Sequence, residues 1–503
     1  MPSAGHAAAQ QARGVSTVYR KTLELSCKKV SAFAAEVPLA DCRNADTGDV
    51  PHIDGASRKY RRPMTRNTLP ALGLTLAVSL FGAAPLAAHA TDIVVATVNN
   101  GHMIEMQKLT HFFEQANPDI HVKWVTLEEG VLRQRATTDI ATQGGQFDVM
   151  TIGMYEAPIW GKKGWLLEVK PDASYDIDDL LPAIRSGLSF GGKLYASPFY
   201  GESSMLMYRK DLADKAGVKF AERPTWDQVR DAAAKMTDPK SGVYGICLRG
   251  KPGWGDNMAF LSTMVNSFGG QWFDMSWKPQ LESKPWHDAI TFYVDMLRKS
   301  GPPGSSANSF NEILALYNEG KCGMWVDATI AASFITDPKQ SKVADKVAFA
   351  QAPSQVTSKG ANWLWAWALA VPASTKNAAA AQKFVNWATS KAYIQLVAQQ
   401  EGWAHVPTGT RKSTYASPEF EKAAVFAAAE KAAIDSANPL DSTLPKSPYT
   451  GVQFAAIPEF QSIGVAVGQQ MSAALAGKET VDAALKASQV AAEREMKKAG
   501  YYK

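Results

Sequence analysis

Residues 91–153 read TDIVVATVNNGHMIEMQKLTHFFEQANPDIHVKWVTLEEGVLRQRATTDIATQGGQFDVMTIG, and their apolar spacing alternates between strand and helix. Residues 92–98 are a β-branched run, broken by Asn99-Asn100-Gly101. Met103, Met106, Leu109, Phe112 and Phe113 then recur at helical spacing until Asn117-Pro118. A second strand over 120–126, a second helix over 131–142 and a third strand over 147–152 follow, with Gly144-Gly145 as the break. Apolar alternation defines strands and 3.6-residue recurrence defines helices. Strands and helices taken in turn make βα units, so the fold class is α/β with a mostly parallel sheet.

Upstream of this stretch the chain has another character. Met64, Thr65, Arg66 and Asn67 form a short positive start, an apolar run follows from Leu69 to Leu80, and Ala88-His89-Ala90 is a small-x-small cleavage site. That order is a secretory signal peptide over 64–90, with the mature chain expected to start at Thr91. A leader is read as it leaves the ribosome, so residues 1–63 are taken as an upstream mis-start, or else as a disordered extension. No cysteine stands at the cleavage point to carry a lipid, and no later apolar run is long enough to span a bilayer. The expected location is the periplasm, without a lipid anchor.

Residues 1–90 hold 11 of the 53 Lys and Arg and 6 of the 48 Asp and Glu, which leaves 42 of each in 91–503. The mature chain is neutral, which argues against a nucleic-acid partner. All 14 tryptophans fall after Ala90, a richness suited to cores and to pockets for flat apolar faces. Of the four cysteines, Cys247 and Cys322 lie in the mature part. In an oxidising compartment they make one bridge, or stand as two buried thiols.

Further along, Thr225 and Gln228 are spaced as a capping box. Strands are expected over 194–199 and 205–208, and helices over 288–299, 378–390, 420–435 and 481–499. No G-x-S-x-G, H-E-x-x-H, C-x-x-C or phosphate loop is present, and no cofactor or metal is implied. The remaining signal is a set of polar-plus-aromatic clusters at strand ends and loops: Gly153–Glu156, Tyr200–Ser204, Gly253–Asn257, Met324–Ala328, Asn362–Trp367 and Glu401–Pro407. Carboxylates accept hydroxyl hydrogens and indole faces pack on C–H faces, which suits a polyhydroxylated neutral ligand. Period-two spacing puts Trp363, Trp365 and Trp367 on one strand face, as a core stripe or a ligand wall.

Phe147-Asp148-Val149, Ala157-Pro158-Ile159-Trp160, Tyr200-Gly201-Glu202-Ser203-Ser204-Met205, Pro224-Thr225-Trp226-Asp227 and Ala370-Val371-Pro372 occur in that order. In them the chain resembles the extracellular solute-binding proteins of bacterial carbohydrate ABC importers. The segments Cys247–Asn257 and Cys322–Thr329 resemble the sorbitol/mannitol-binding, polyol branch. Residues 1–63 match nothing in that family.

The resemblance implies a two-lobe periplasmic binding protein fold of type II-like topology, with discontinuous lobes joined by hinge strands. The lobes would be 91–201 plus 371–413 and 202–370 plus 414–503. It also implies hinge closure around a small neutral polyol or sugar, delivery to a membrane permease, a monomer and no catalysis. The expected ligand set has Glu202, Asp256 and Asp327 as ionised hydroxyl acceptors. Asn99 and Asn362 donate and accept. Tyr155, Trp254, Trp325 and Trp363 supply apolar faces. Arg411 is a counter-charge, or alternatively an ion pair between the lobes. The rival class is an exported glycoside hydrolase or lyase using a carboxylate pair from the same set.

Overall fold

A computed structural model describes residues 90–503. The leader expected over 64–90 and residues 1–63 lie outside the described residues, Ala90 excepted.

Two sheets organise the chain. The first has five strands in the order β2-β1-β3-β10-β6. Strands β1 (Thr91–Val98), β2 (Ile120–Leu127) and β3 (Val149–Gly153) come from the opening βα units, and β1 runs parallel to both neighbours. Strand β2 is at the edge, and its exposed His121 and Lys123 alternate with buried Ile120 and Val122. Central β3 is buried throughout, so it reads as a continuous apolar run.

After a short hairpin, β4 (Ser189–Phe190) and β5 (Lys193–Leu194), the chain enters β6 (Ser197–Glu202). Only Ser203 separates β6 from β7 (Ser204–Arg209), the centre of a second, three-stranded antiparallel sheet. Its flanks are β8 (Met324–Ala328) and β9 (Val347–Gln351). Strand β10 (Trp365–Ala370) returns to the first sheet, antiparallel to β3 and β6, with a bulge between Trp367 and Ala368. The first sheet is therefore mixed rather than mostly parallel. The sequence reading groups Trp365–Ala370 with the second lobe, whereas all its ladder bonds are to the first.

Helices α1 (Gly101–Ala116) and α2 (Glu129–Thr142) follow β1 and β2, and α3 (Glu156–Lys162) follows β3. Glu128 caps α2 by accepting from the Val131 N–H at 3.4 Å. At Trp226–Met236 the expected capping box forms: Thr225 Oγ1 accepts from Gln228 N, and Gln228 Oε1 from Thr225 N. The single helix expected over 420–435 is two, Pro418–Ala423 and Ala427–Ser436. The break lets Phe420 and Phe426 both turn fully into the core. Beyond the second sheet α4 (Asn257–Ser267) and α7 (Val481–Lys498) both pack on α6 (Phe460–Leu475), while α5 (Phe310–Asn318) sets Phe310 and Tyr317 against Trp325 of β8. Among the described residues no helix is long and apolar enough to cross a membrane.

Where the chain passes between sheets it is tied by side chains. Ser203 Oγ donates to Trp363 O at 2.7 Å, Ser203 N donates to Thr329 Oγ1, and Thr329 N donates to Ser203 O. Gly201 and Gly409 approach so closely that a Cβ on either would strike the other's backbone; Gly409 also has φ +72°.

Candidate functional site

Between the two sheets lies a cavity with walls from both lobes. Asn100, Glu129, Arg133, Tyr200, Trp365 and Trp367 come from the first side, and Arg249, Trp254, Phe310, Ile330 and Gln453 from the second. Glu202 and Trp363 line it at the crossings. The alternating tryptophans do share one face: Trp363, Trp365 and Trp367 all line the cavity, and all are buried. Trp365 lies directly over Gly153, where any side chain would collide with the indole.

Two arginines are fixed in the walls. Arg249 makes a bidentate pair with Asp327, Nε to Oδ2 at 2.8 Å and Nη2 to Oδ1 at 2.5 Å, and donates from Nη1 to Gly255 O at 2.8 Å. Arg133, one helical turn after Glu129, donates Nε (3.0 Å) and Nη2 (2.8 Å) to Glu129 Oε1, and Nη1 to Glu156 Oε1 at 2.5 Å. Glu156 is held in turn by Gly153 N at 3.0 Å. The Arg133 guanidinium is 4.0 Å from the Trp254 ring centre, 4.7 Å from Trp367 and 5.0 Å from Trp365. Cation–π contact thus joins an indole of one lobe to two of the other. A guanidinium has five N–H donors, so each arginine keeps unused donors.

Of the expected ligand set, Glu202, Trp254 and Trp363 line the cavity. Glu202 accepts no hydrogen bond from a described residue, and burial pushes its carboxyl up to about 8 against the opposing pull of Arg249. At neutral pH it is therefore mostly the neutral acid, not the ionised acceptor expected. The structure puts the other expected residues elsewhere. All of Asp327's bonding capacity turns inward: besides Arg249, it accepts from Trp325 Nε1 at 2.9 Å and Ala328 N at 2.7 Å. Trp325 is buried behind it against Phe310. Asp256 accepts from Ser309 Oγ and lines a neighbouring groove. Asn362 donates to Ser204 O at 2.7 Å and so ties a crossing. Tyr155 lies behind Trp254, its single hydroxyl proton shared between Ile457 O at 3.0 Å and Pro458 O at 3.1 Å.

Asn99 meets Asn311 near the surface, while its neighbour Asn100 lines the cavity and donates to Tyr200 Oη at 3.0 Å. Arg411 is fully buried away from the cavity, over Tyr175, with bonds to Asp176 O, Thr389 O and Asp179. Cys247 and Cys322 are joined as a disulfide, with Cα atoms 5.8 Å apart. Arg133 and Glu129 gave no sequence signal beyond an i,i+4 pair, which ordinarily reads as a solvated helix face.

The buried carboxyls set a pH dependence. Burial pushes Glu202 up to about 8, and Glu430, which accepts from Thr408 and Tyr415, up to about 7. Both exceed the ordinary carboxyl value, so the folded state binds more protons than the unfolded state until pH passes them. Stability should therefore fall as pH rises. Buried His102, pushed down to about 3, acts oppositely but only below about 6.5, where the unfolded imidazole takes up protons. The melting temperature of the ligand-free protein is expected to drop between pH 6.5 and 8.5, and Glu430→Gln should flatten the drop. A rise over that interval would contradict this assignment.

Two sheets with the chain passing between them, and a cavity walled by both, define a two-lobed solute-binding fold of mixed α and β content. The chain belongs to the bacterial extracellular solute-binding protein family, whose model matches residues 100–395. A mannitol-binding protein of Pseudomonas aeruginosa is 55% identical over 419 residues, covering 83% of this chain and 96% of the relative. A solved ABC transporter solute-binding protein from Agrobacterium vitis S4, with bound D-mannitol, is 62% identical with a TM-score of 0.81, covering 82% of this chain and 100% of that one. A maltose-bound protein of T. maritima shares the fold at 21% identity and a TM-score of 0.67, over 80% of this chain and 100% of that one.

Proposed function

We propose that this protein captures a linear polyol, D-mannitol foremost, outside the cytoplasm and delivers it to the membrane permease of an ABC importer. The observation that carries the reading is the cavity between the lobes: four tryptophans, two fixed arginines with spare donors, and the buried carboxyl of Glu202. A neutral polyol offers C–H edges to the indoles and hydroxyls to both donors and acceptors. The two relatives associated with mannitol support the choice of ligand. Residues 64–90 act as the leader, and the mature protein works as a periplasmic monomer without catalysis.

In this reading the lobes meet at three crossings, close to Ser203, Asn362 and Gly409. Closure brings Arg133 of one lobe against Trp254 of the other, buries the ligand and presents both lobes together to the permease. The ligand contacts fall to Glu202, Trp254, Trp363, Arg133 and Arg249, while Asp327 and Glu129 position the arginines.

D-mannitol is expected to raise the melting temperature and maltodextrins are not. A ligand binding only the folded state stabilises by about 2.7 kcal/mol at 100 times its dissociation constant. A shift with maltodextrins and none with millimolar hexitols would reject the polyol. Incubation with oligosaccharides should release no new reducing ends; turnover would favour a hydrolase.

A further inference from the structure

Gln453 precedes α6 in a loop of the second lobe, and no sequence motif marks it. Its side chain is 3% exposed and lines the cavity. Nε2 donates to Leu364 O at 2.9 Å. A carbonyl oxygen can only accept, so this bond fixes which end of the amide is nitrogen and holds the side chain in one orientation. Oε1 is buried without a hydrogen-bond partner among the described residues. An unpaired buried acceptor is costly, and a donor that satisfies it gains accordingly. The other two cavity-lining side chains with an unpartnered buried polar atom, Trp254 and Trp363, expose indole N–H groups, which only donate. The arginines also only donate. Of the unpartnered buried polar atoms in the cavity wall among the described residues, Gln453 Oε1 is therefore the one acceptor.

We propose that Gln453 is a specificity-determining residue of this site: its Oε1 accepts a hydrogen bond from one hydroxyl of the bound polyol. The assignment rests on the polyol reading above. A site built to bond a hydroxyl rejects an analogue lacking it, because the buried partner is left unpaired.

The test is calorimetric titration of wild type, Gln453→Met and Gln453→Leu with D-mannitol and with a panel of hexitols each lacking one hydroxyl. Ligand-free melting curves check that the variants fold, since both also lose the bond to Leu364. Both variants are expected to bind D-mannitol about 10-fold more weakly, the scale of one hydrogen bond. One deoxy-hexitol should bind wild type and variants equally, because the hydroxyl that Gln453 reads is already gone. Uniform weakening across the panel would assign Gln453 a purely structural role, and unchanged D-mannitol affinity in both variants would also overturn the proposal. Failure of wild type to bind any hexitol would instead overturn the polyol reading, and this assignment with it.

Discussion

Substitution of Asp327 by alanine is expected to destabilise the ligand-free protein by about 3–5 kcal/mol, the cost of leaving a buried charge without its partner. Asp327 is completely buried and its carboxylate receives two bonds from Arg249, one from the Trp325 indole and one from the Ala328 amide. Alanine orphans all four donors at once. Arg249, itself buried, then keeps Gly255 O as its hydrogen-bond acceptor and loses the carboxylate that fixes its guanidinium in the cavity wall. Polyol binding should fall with stability. Asp327→Asn keeps the shape and one acceptor, so it should lose less stability than alanine but still most of the affinity. Urea melts and calorimetry check both; an alanine variant destabilised by less than about 1 kcal/mol would mean that the pair contributes little.

The Asp327 case also explains how far the site was legible in the sequence. The α/β class followed from the opening segment because β1 and β3 are buried on both faces and α1 on one, so burial is written into the spacing. The tryptophan stripe was legible for the same reason: period two fixes a common face. The mixed character of the first sheet was not, because β10 returns from the far lobe and local spacing does not record its partner.

Side-chain roles were harder. A carboxylate at a strand end can face a ligand or an arginine 78 positions away, and nothing local distinguishes Asp327 from Glu202. Arg411 and Asn362 are polar groups near crossings, and the backbone carbonyls that occupy them are invisible in sequence. Arg133 and Glu129 sit on a helix of ordinary pattern. Their importance comes from Trp254, Trp365 and Trp367, brought in from distant parts of the chain.

Removal of the disulfide links stability to the same arginine. The segment after Tyr244 runs beside β8: Tyr244 N donates to Lys321 O, Gly323 N to Tyr244 O, and Cys247 N to Met324 O at 2.9 Å. The Cys247–Cys322 bridge clamps this short parallel pairing. Arg249 lies two residues beyond one cysteine and Asp327 five beyond the other, so the clamp sets the register at which guanidinium and carboxylate meet. The bridge closes a loop of 75 residues, for which restriction of the unfolded chain gives up to about 4 kcal/mol. Cys247→Ser/Cys322→Ser is therefore expected to lose about 2–4 kcal/mol in denaturant melts. The variant should also bind D-mannitol more weakly even where it is fully folded, because the segment carrying Arg249 must be ordered on binding. Reduction of the wild type should reproduce both effects. Two free thiols in the denatured, unreduced protein would exclude the bridge. A stability loss with unchanged affinity would confine the bridge to the fold and separate it from the positioning of Arg249.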